Sequence, residues 1–106
     1  MAEQTDMGYT VTLDASRWFD EGIMHNDFAR AFAFPDHYGR NLDALVDCLR
    51  DVAEVSPARD VGLVIVVRGF ARFQQALPAT ASALLSILDD LATTSGVVSL
   101  VDQPAS

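Results

Sequence analysis

Three short segments of the chain carry the apolar patterns of β-strands. Residues 9–13, YTVTL, alternate apolar and polar side chains in the manner of a half-buried strand. Residues 62–67, GLVIVV, are a continuous run rich in β-branched residues, which predicts a strand buried on both faces. Residues 97–101, VVSLV, predict a third strand near the end of the chain.

The segments between these strands have the spacing of amphipathic helices. Apolar residues recur every three or four positions from about residue 23, and Asn26 and Asp27 stand near the start of this helix. Pro35 ends it, because the residue before a proline avoids the α-helical region. A short loop follows, in which Gly39 can take a positive φ.

A second helix is predicted to begin after Asn41, whose side chain can accept a hydrogen bond from an unpaired backbone N–H. Its core-facing positions repeat at helical spacing: Leu42, Leu45, Leu49 and Val52. Residues 54–60 are expected to be a linker. A short helix that ends before Pro78 and a longer helix over about residues 80–93 complete the pattern.

Short apolar strands that alternate with helices pair in parallel through right-handed crossovers. The sequence therefore predicts an α/β fold, with a three-stranded parallel sheet flanked by about four helices. A chain of 106 residues has the usual size of one domain. We expect residues 1–106 to form a single domain in which residues 1–7 are a loose polar start.

The charge balance narrows the range of partners. The chain has 15 acidic residues against 7 cations, for a net charge of -8. Contacts with phosphate need lysine and arginine, so this balance argues against nucleic acid as a partner. It favours a basic protein partner, although an acidic surface can also serve solubility alone.

The sequence gives no indication of export, a membrane span or a cofactor. The first twenty residues have no apolar signal core, and no apolar run reaches the length of a membrane-spanning helix. Cys48 is the only cysteine, which excludes an internal disulfide. No glycine-rich phosphate loop is present. We therefore expect a cytoplasmic protein that uses no cofactor.

The second helix carries carboxylates where local physics does not favour them. Asp43, Asp47 and Asp51 stand four residues apart, away from the apolar stripe. Like charges at this spacing destabilise an isolated helix by about 0.2–0.5 kcal/mol per pair, and the helix dipole favours only Asp43. Asp89 and Asp90 similarly lie toward the C-terminal end of the last helix. Departures of this kind are expected at functional surfaces.

Two further groups of residues leave more than one interpretation open. His37 and Tyr38 lie in the loop before the acidic helix, where an exposed tyrosine would suit an interface anchor; alternatively, Tyr38 folds back onto the core. Asp43 and Asp47 could hold a hard cation, but no histidine or cysteine ligand set accompanies them.

We expect Cys48 to pack as a small apolar side chain rather than to act as a nucleophile.

Residues 34–49, FPDHYGRNLDALVDCL, resemble the signature of the barstar family, which comprises intracellular protein inhibitors of small secreted ribonucleases. The family pattern runs close to LPxYYGxNLDALWDCL, and the order of the remaining strands and helices is also similar. The resemblance implies a small parallel sheet flanked by helices, and a non-enzymatic inhibitor that forms a one-to-one complex with a small basic secreted ribonuclease. In such inhibitors the loop and the acidic helix block the active site, with carboxylates in the positions of RNA phosphates.

Carried over by position, the resemblance implies partner-binding roles for residues of the loop and of two helices. Asp47 corresponds to the central anion and Asp43 to its neighbour, while Asp90 matches a glutamate on the last helix of the family. The remaining implied contacts are His37, Tyr38, Gly39, Asn41 and Val46.

Two residues depart from the family pattern. Val46 stands where the family usually has tryptophan, which removes an aromatic contact. Arg40 places a cation in a loop that should meet a basic surface. Two other functions stay open: the acidic face could neutralise a different basic toxin or regulate a non-nuclease partner, or the protein could be a metal-dependent enzyme that uses Asp43 and Asp47.

Overall fold

The computed structural model describes residues 2–5, 8–55 and 58–101. Their strands form one sheet in the order β1-β2-β3-β4. The strands are β1 (Ala2–Thr5), β2 (Gly8–Asp14), β3 (Leu63–Arg68) and β4 (Val98–Val101). β2, β3 and β4 run parallel, and β1 pairs antiparallel with β2. The predicted three-stranded parallel sheet is thus confirmed, with one antiparallel strand added at its edge.

Five α-helices lie within the described residues, and a 3-10 turn (Ala15–Arg17) follows β2. The helices are α1 (Glu21–Phe32), α2 (Leu42–Ala53), α3 (Ala58–Val61), α4 (Phe70–Ala76) and α5 (Pro78–Ser95). The α/β class is confirmed, with one helix more than expected. No helix in this part of the chain is long and apolar enough to span a membrane.

The additional helix, α3, falls partly within the predicted linker, residues 54–60. It has only four residues, too few to show a helical period in the sequence. Ala58 is 3% exposed, so burial of this side chain, rather than an amphipathic pattern, secures the segment. The remainder of the predicted linker is described up to Val55, where the backbone carbonyl accepts a hydrogen bond from the Arg59 N–H.

For residues 2–5 the structure differs from the expected loose start. Their backbone pairs with β2 in a register that runs from Ala2 opposite Val11 to Thr5 opposite Gly8. The segment has no apolar alternation to reveal a strand in the sequence. Its conformation is decided by the unpaired backbone groups along the edge of β2, which offer it hydrogen-bond partners. Residues 1, 6 and 7 of the predicted loose start lie outside the described residues.

Burial alternates along the central strand β3. Ile65 is fully buried, whereas Val64 and Val66 are partly exposed. The side chains beside them on β4, Val98 and Leu100, are 50% and 52% exposed. The prediction that this strand is buried on both faces was therefore wrong. An uninterrupted β-branched run shows that a strand forms, but it does not show which face of the sheet the helices cover.

Helix α1 begins slightly earlier than predicted. Asp20 is its N-cap, and the carboxylate accepts a hydrogen bond from the Ile23 N–H at 2.9 Å. The helix ends at Phe32, and its C-cap is Ala33, whose φ of 54° is left-handed, two residues before Pro35. The prediction that the helix ends before the proline is thus confirmed, and residues 34–41 form the loop that follows.

The core packs aromatic side chains from α1 and α4 around Trp18. Trp18 is fully buried, and its ring centroid lies 5.6 Å from that of Phe28 and 5.0 Å from that of Phe73. Its Nε1 donates a hydrogen bond to Asp27 Oδ2 at 2.7 Å. Leaving that N–H unpaired would cost about 1–3 kcal/mol. Asp27, which the sequence placed near the start of α1, therefore tethers the helix to the core.

Candidate protein-binding surface

Helix α2 buries its apolar side in the core and exposes its acidic side to solvent. Leu45 and Leu49 are fully buried, whereas Asp43, Asp47 and Asp51 are exposed. The predicted separation of an apolar stripe from a carboxylate stripe is therefore confirmed. The three carboxylates stand on successive turns, about 6 Å apart along the helix axis. These three aspartates together with the loop residues 35–41 are called the acidic face below.

The cap of α2 joins the loop to the helix. Asn41 Oδ1 accepts a hydrogen bond from the Ala44 N–H at 2.8 Å, as the sequence predicted. Its Nδ2 donates to the Gly39 carbonyl at 3.3 Å. Replacing such a cap by alanine typically costs about 1 kcal/mol. One side chain therefore both starts the helix and restrains the loop before it.

The left-handed residue of this loop is Arg40, with a φ of 47°, whereas Gly39 does not use the positive φ that is open to glycine. A Cβ added at position 39 would lie 3.2 Å from Asn41 Nδ2, so the Asn41 side chain would have to move by a few tenths of an ångström. A left-handed residue other than glycine costs about 1–2 kcal/mol. Arg40 Nε donates to Asn26 Oδ1 at 3.0 Å, which ties this strained residue to α1.

Asp47 has one cationic neighbour on its own helix. Arg50 Nη1 lies 3.6 Å from Asp47 Oδ1, and the two side chains are 41% and 75% exposed. A solvent-exposed pair of this kind contributes at most about 1 kcal/mol. Asp47 therefore stays open to a stronger partner at little cost.

Of the two interpretations of Tyr38, the structure agrees with the one in which its ring folds back onto the core. The side chain is 6% exposed, and its ring centroid lies 4.9 Å from that of Phe34. Its hydroxyl lies 2.5 Å from His25 Nδ1, and its backbone N–H donates to the Pro35 carbonyl at 2.9 Å. Tyr38 thus holds the loop from below, while the adjacent His37 is exposed.

His25 is a residue that the sequence analysis did not connect with this surface. It is 1% exposed, and its Nε2 lies 3.5 Å from Glu21 Oε1, at the limit of a hydrogen bond. A neutral ring can accept from the Tyr38 hydroxyl at Nδ1, and its Nε2–H lies toward Glu21 without completing a hydrogen bond. Burial lowers the pKa of His25, and Glu21 opposes this effect only partly. Its place beside Met24 and Phe28 in the apolar pattern of α1 was the available signal.

The two other titratable groups beneath the acidic face are held in their neutral forms. Burial raises the pKa of Tyr38 to about 12, and the nearby Cys48 adds to the rise. Burial also raises the pKa of the Cys48 thiol, as do the carboxylates of Asp51 and Asp47. A thiol with a raised pKa is a poor nucleophile at neutral pH. The half-buried Cys48 therefore fits the expected role of a packing residue.

The remaining residues named from the sequence are divided between α2 and α5. Val46 is half-buried on α2, and Asp90 is exposed on α5, which packs against α2. Asp89 instead lines a groove between α5 and β4, so the two neighbouring carboxylates face different sides. Within residues 8–55 and 58–101, no group of three histidine, cysteine or acidic side chains is arranged to hold a metal ion. The pair Asp43 and Asp47 thus gains no third ligand in the described part of the chain.

The fold and this surface define a small α/β protein whose main exposed feature is an acidic helix preceded by a restrained loop. Comparison with known proteins gives its family. The family model described as Barstar (barnase inhibitor) matches residues 8–100. A Bacillus subtilis (strain 168) protein named "Putative ribonuclease inhibitor YrdF" is 30% identical over 80 residues, which cover 76% of this chain and 81% of that protein. The chain belongs to the barstar family, as the resemblance of residues 34–49 had indicated.

Proposed function

We propose that this protein inhibits a small, basic, secreted ribonuclease by covering its active site with the acidic face. The observation that carries the proposal is the exposed row of Asp43, Asp47 and Asp51 beside a loop that is restrained from below. Membership of the barstar family and the name of the Bacillus subtilis relative support ribonuclease inhibition in general. The proposal also includes three further statements: the ribonuclease is secreted, the complex is one-to-one, and the inhibitor is cytoplasmic.

In this proposal the carboxylates occupy the positions of RNA phosphates. A ribonuclease binds its substrate through cationic side chains, and a carboxylate accepts charge-assisted hydrogen bonds from the same groups. Asp47 is the central anion, because it is 75% exposed and its pair with Arg50 is easily exchanged for a stronger one. Asp43 stands one turn away toward the loop and extends the row.

The loop contributes contacts that need little reorganisation. Its exposed residues His37, Gly39 and Asn41 would face the enzyme, and Tyr38 would act from inside by holding them in place. The Asn41 cap and the bond from Arg40 to α1 restrain the same segment. A loop that is ordered before binding loses less conformational entropy in the complex, which favours affinity.

Two positions outside the loop complete the proposed contact surface. Val46, half-buried on α2, offers a small apolar contact where the family usually has tryptophan. Asp90 on α5 would add a carboxylate, whereas Asp89 beside it lines the groove next to β4. These two aspartates differ in direction but not in charge, so they form a matched pair for testing the extent of the surface.

The decisive experiment is a titration of RNA cleavage by a small basic secreted ribonuclease from the same organism. Cleavage should fall to zero at one equivalent of the protein, with about 800 Å² buried on each partner. Asp90→Ala should weaken inhibition, and Asp89→Ala should leave it unchanged. Full cleavage at an excess of inhibitor would contradict the proposal. If the protein then bound a different basic protein, the function of a more general acidic binding module would be favoured.

A further inference from the structure

A shallow cavity adjoins the acidic face and is lined by residues from the end of α1, the loop after it and the C-terminal half of α2. Its volume is about 290 Å³. This is near the lower limit of the volumes usual for small-molecule sites, about 300–1,000 Å³, and leaves room for one long side chain. Its walls are mainly apolar and include Phe32, Phe34, Val52 and Val55.

The aromatic part of the wall is held in place by its neighbours. The rings of Phe32 and Phe34 stack with their centroids 5.8 Å apart, and Phe34 also packs against the buried Tyr38. Val55, which also lines the cavity, is 58% exposed, so apolar surface is left in contact with water. The free protein therefore keeps open an apolar slot that a partner could cover.

A carboxylate lies at the edge of this slot. Asp51 lines the cavity with Cys48 and His37, and it is exposed. Among the described residues no cation forms an ion pair with Asp51, in contrast to Asp47 and its neighbour Arg50. Asp51 also lies in the C-terminal half of α2, where the helix dipole disfavours a carboxylate. Stability of the free chain does not explain this residue.

We propose that the cavity receives one arginine side chain of the partner, with its aliphatic stem against the wall formed by Phe34 and Val52 and its guanidinium paired with Asp51. The inference builds on the proposed function, since it assigns a side chain to the ribonuclease surface that meets the acidic face. An apolar wall beside a carboxylate matches the two parts of a long cationic side chain. Arginine fits better than lysine, because its planar, weakly hydrated group packs on aromatic rings and can pair with both carboxylate oxygens.

The test uses the free protein and the probe n-butylguanidinium, which reproduces the end of an arginine side chain. We expect saturable shifts of the backbone amide signals of Phe34, Val52 and Val55 in ¹H–¹⁵N spectra, with a dissociation constant of about 1–20 mM. At equal ionic strength, n-butylammonium should bind at least about threefold more weakly. A neutral butyl amide should bind more weakly still.

Two variants make the result specific to the cavity. Asp51→Asn should weaken the probe about three- to fivefold, as expected for the loss of one exposed ion pair. Asp43→Asn removes the same charge from the same helix outside the cavity, and it should leave the affinity unchanged. Equal weakening by both variants, unsaturable shifts, or equal binding of n-butylammonium would overturn the assignment.

The outcome is separable from that of the proposed function. The probe titration needs no nuclease, so a negative result removes the arginine assignment and leaves ribonuclease inhibition standing. Conversely, a ribonuclease that is not inhibited removes the proposed function, whatever the probe does. When both hold, Asp51→Asn should weaken inhibition by a similar factor of about three to five.

Discussion

His25 Nδ1 lies 2.5 Å from the hydroxyl of Tyr38 inside the core, and this contact joins α1 to the loop of the acidic face. Neither group is charged at neutral pH, because burial lowers the pKa of the imidazole and raises that of the phenol to about 12. The surface that would meet a partner is therefore supported by a neutral pair whose protonation state matters for stability.

The stability of the protein should fall as the pH falls below about 6.5. The pKa of His25 is lowered in the folded protein, so the unfolded chain takes up its proton at higher pH than the folded chain does. Neutral His25 contributes its full stabilisation at a pH above the pKa of the unfolded chain, and this stabilisation is lost as the pH falls to the lower pKa of the folded chain. The loss is about 1.4 kcal/mol for each unit of difference between the two pKa values. Urea unfolding between pH 7.5 and pH 5.5 measures this slope.

His25→Gln should flatten this dependence of the unfolding free energy on pH. His37→Gln is the matched control, since it removes the other histidine of the chain from the exposed loop. A slope that is unchanged in His25→Gln would show that a different group is responsible.

Tyr38→Phe tests whether the hydroxyl acts inside the protein or at its surface. The change leaves His25 Nδ1 buried without a partner, so we expect a loss of about 1–3 kcal/mol in unfolding free energy. Inhibition by the folded variant should stay within about threefold of the original, because the hydroxyl faces the core. A larger loss of inhibition with normal stability would instead identify the hydroxyl as a partner contact.

Asp47→Ala separates the needs of folding from those of binding. The change removes repulsion from Asp43 and Asp51 and introduces the best helix former, at the cost of the exposed pair with Arg50. The free protein should hold its stability or gain up to about 1 kcal/mol. Inhibition should weaken by at least about 2 kcal/mol, since cations of the enzyme would lose their partner.

Asp51→Ala is the companion variant, and it should cost less inhibition than Asp47→Ala because a single exposed ion pair contributes at most about 1 kcal/mol. Thermal melts and inhibition constants together decide the matter. If Asp47→Ala melted earlier yet inhibited normally, the carboxylate would have a structural role.

The rate of association with the ribonuclease should fall steeply as salt is added. The chain carries a net charge of -8, and opposite charges speed the encounter of two proteins until salt screens them. The dissociation rate should change much less. Stopped-flow measurements over about 20–500 mM salt, across which the Debye length shortens severalfold, provide the test. An association rate that does not depend on ionic strength would count against the acidic face as the binding surface.

Cys48→Ala should leave inhibition largely intact, because the thiol is half-buried and packs against its neighbours. In the original protein, alkylation of Cys48 by iodoacetamide at pH 7 should be slow, since burial and the carboxylates of Asp51 and Asp47 raise the pKa of the thiol. Asp51→Asn should speed this reaction. Complete loss of inhibition in a folded Cys48→Ala protein would assign the thiol a direct role.

Local patterns were sufficient where a periodicity or a cap acts over a few residues. The spacing of Leu45 and Leu49 predicted the buried side of α2 and hence the exposed row of aspartates, because a helix repeats every 3.6 residues wherever it lies. Asn41 was identifiable as a cap for the same reason, since its hydrogen bond closes over three residues. The resemblance of residues 34–49 supplied the family, which no pattern of apolar positions could have supplied.

Features that join distant segments needed the folded chain. Strand β1 forms because the edge of β2 offers it hydrogen-bond partners. The partial solvent exposure of Val64 and Val66 on β3 depends on which face of the sheet the helices cover.

The same division applies within the candidate site. By itself, the sequence determined the helix, its carboxylates and the loop that precedes them, because these depend on neighbours along the chain. Only the tertiary structure decided that Tyr38 points inward to His25, thirteen residues away, and that Asp51 borders an apolar cavity. Contacts of this kind depend on how α1, the loop after it and α2 come together, and packing is a property of surfaces that meet in space rather than of spacing in the sequence.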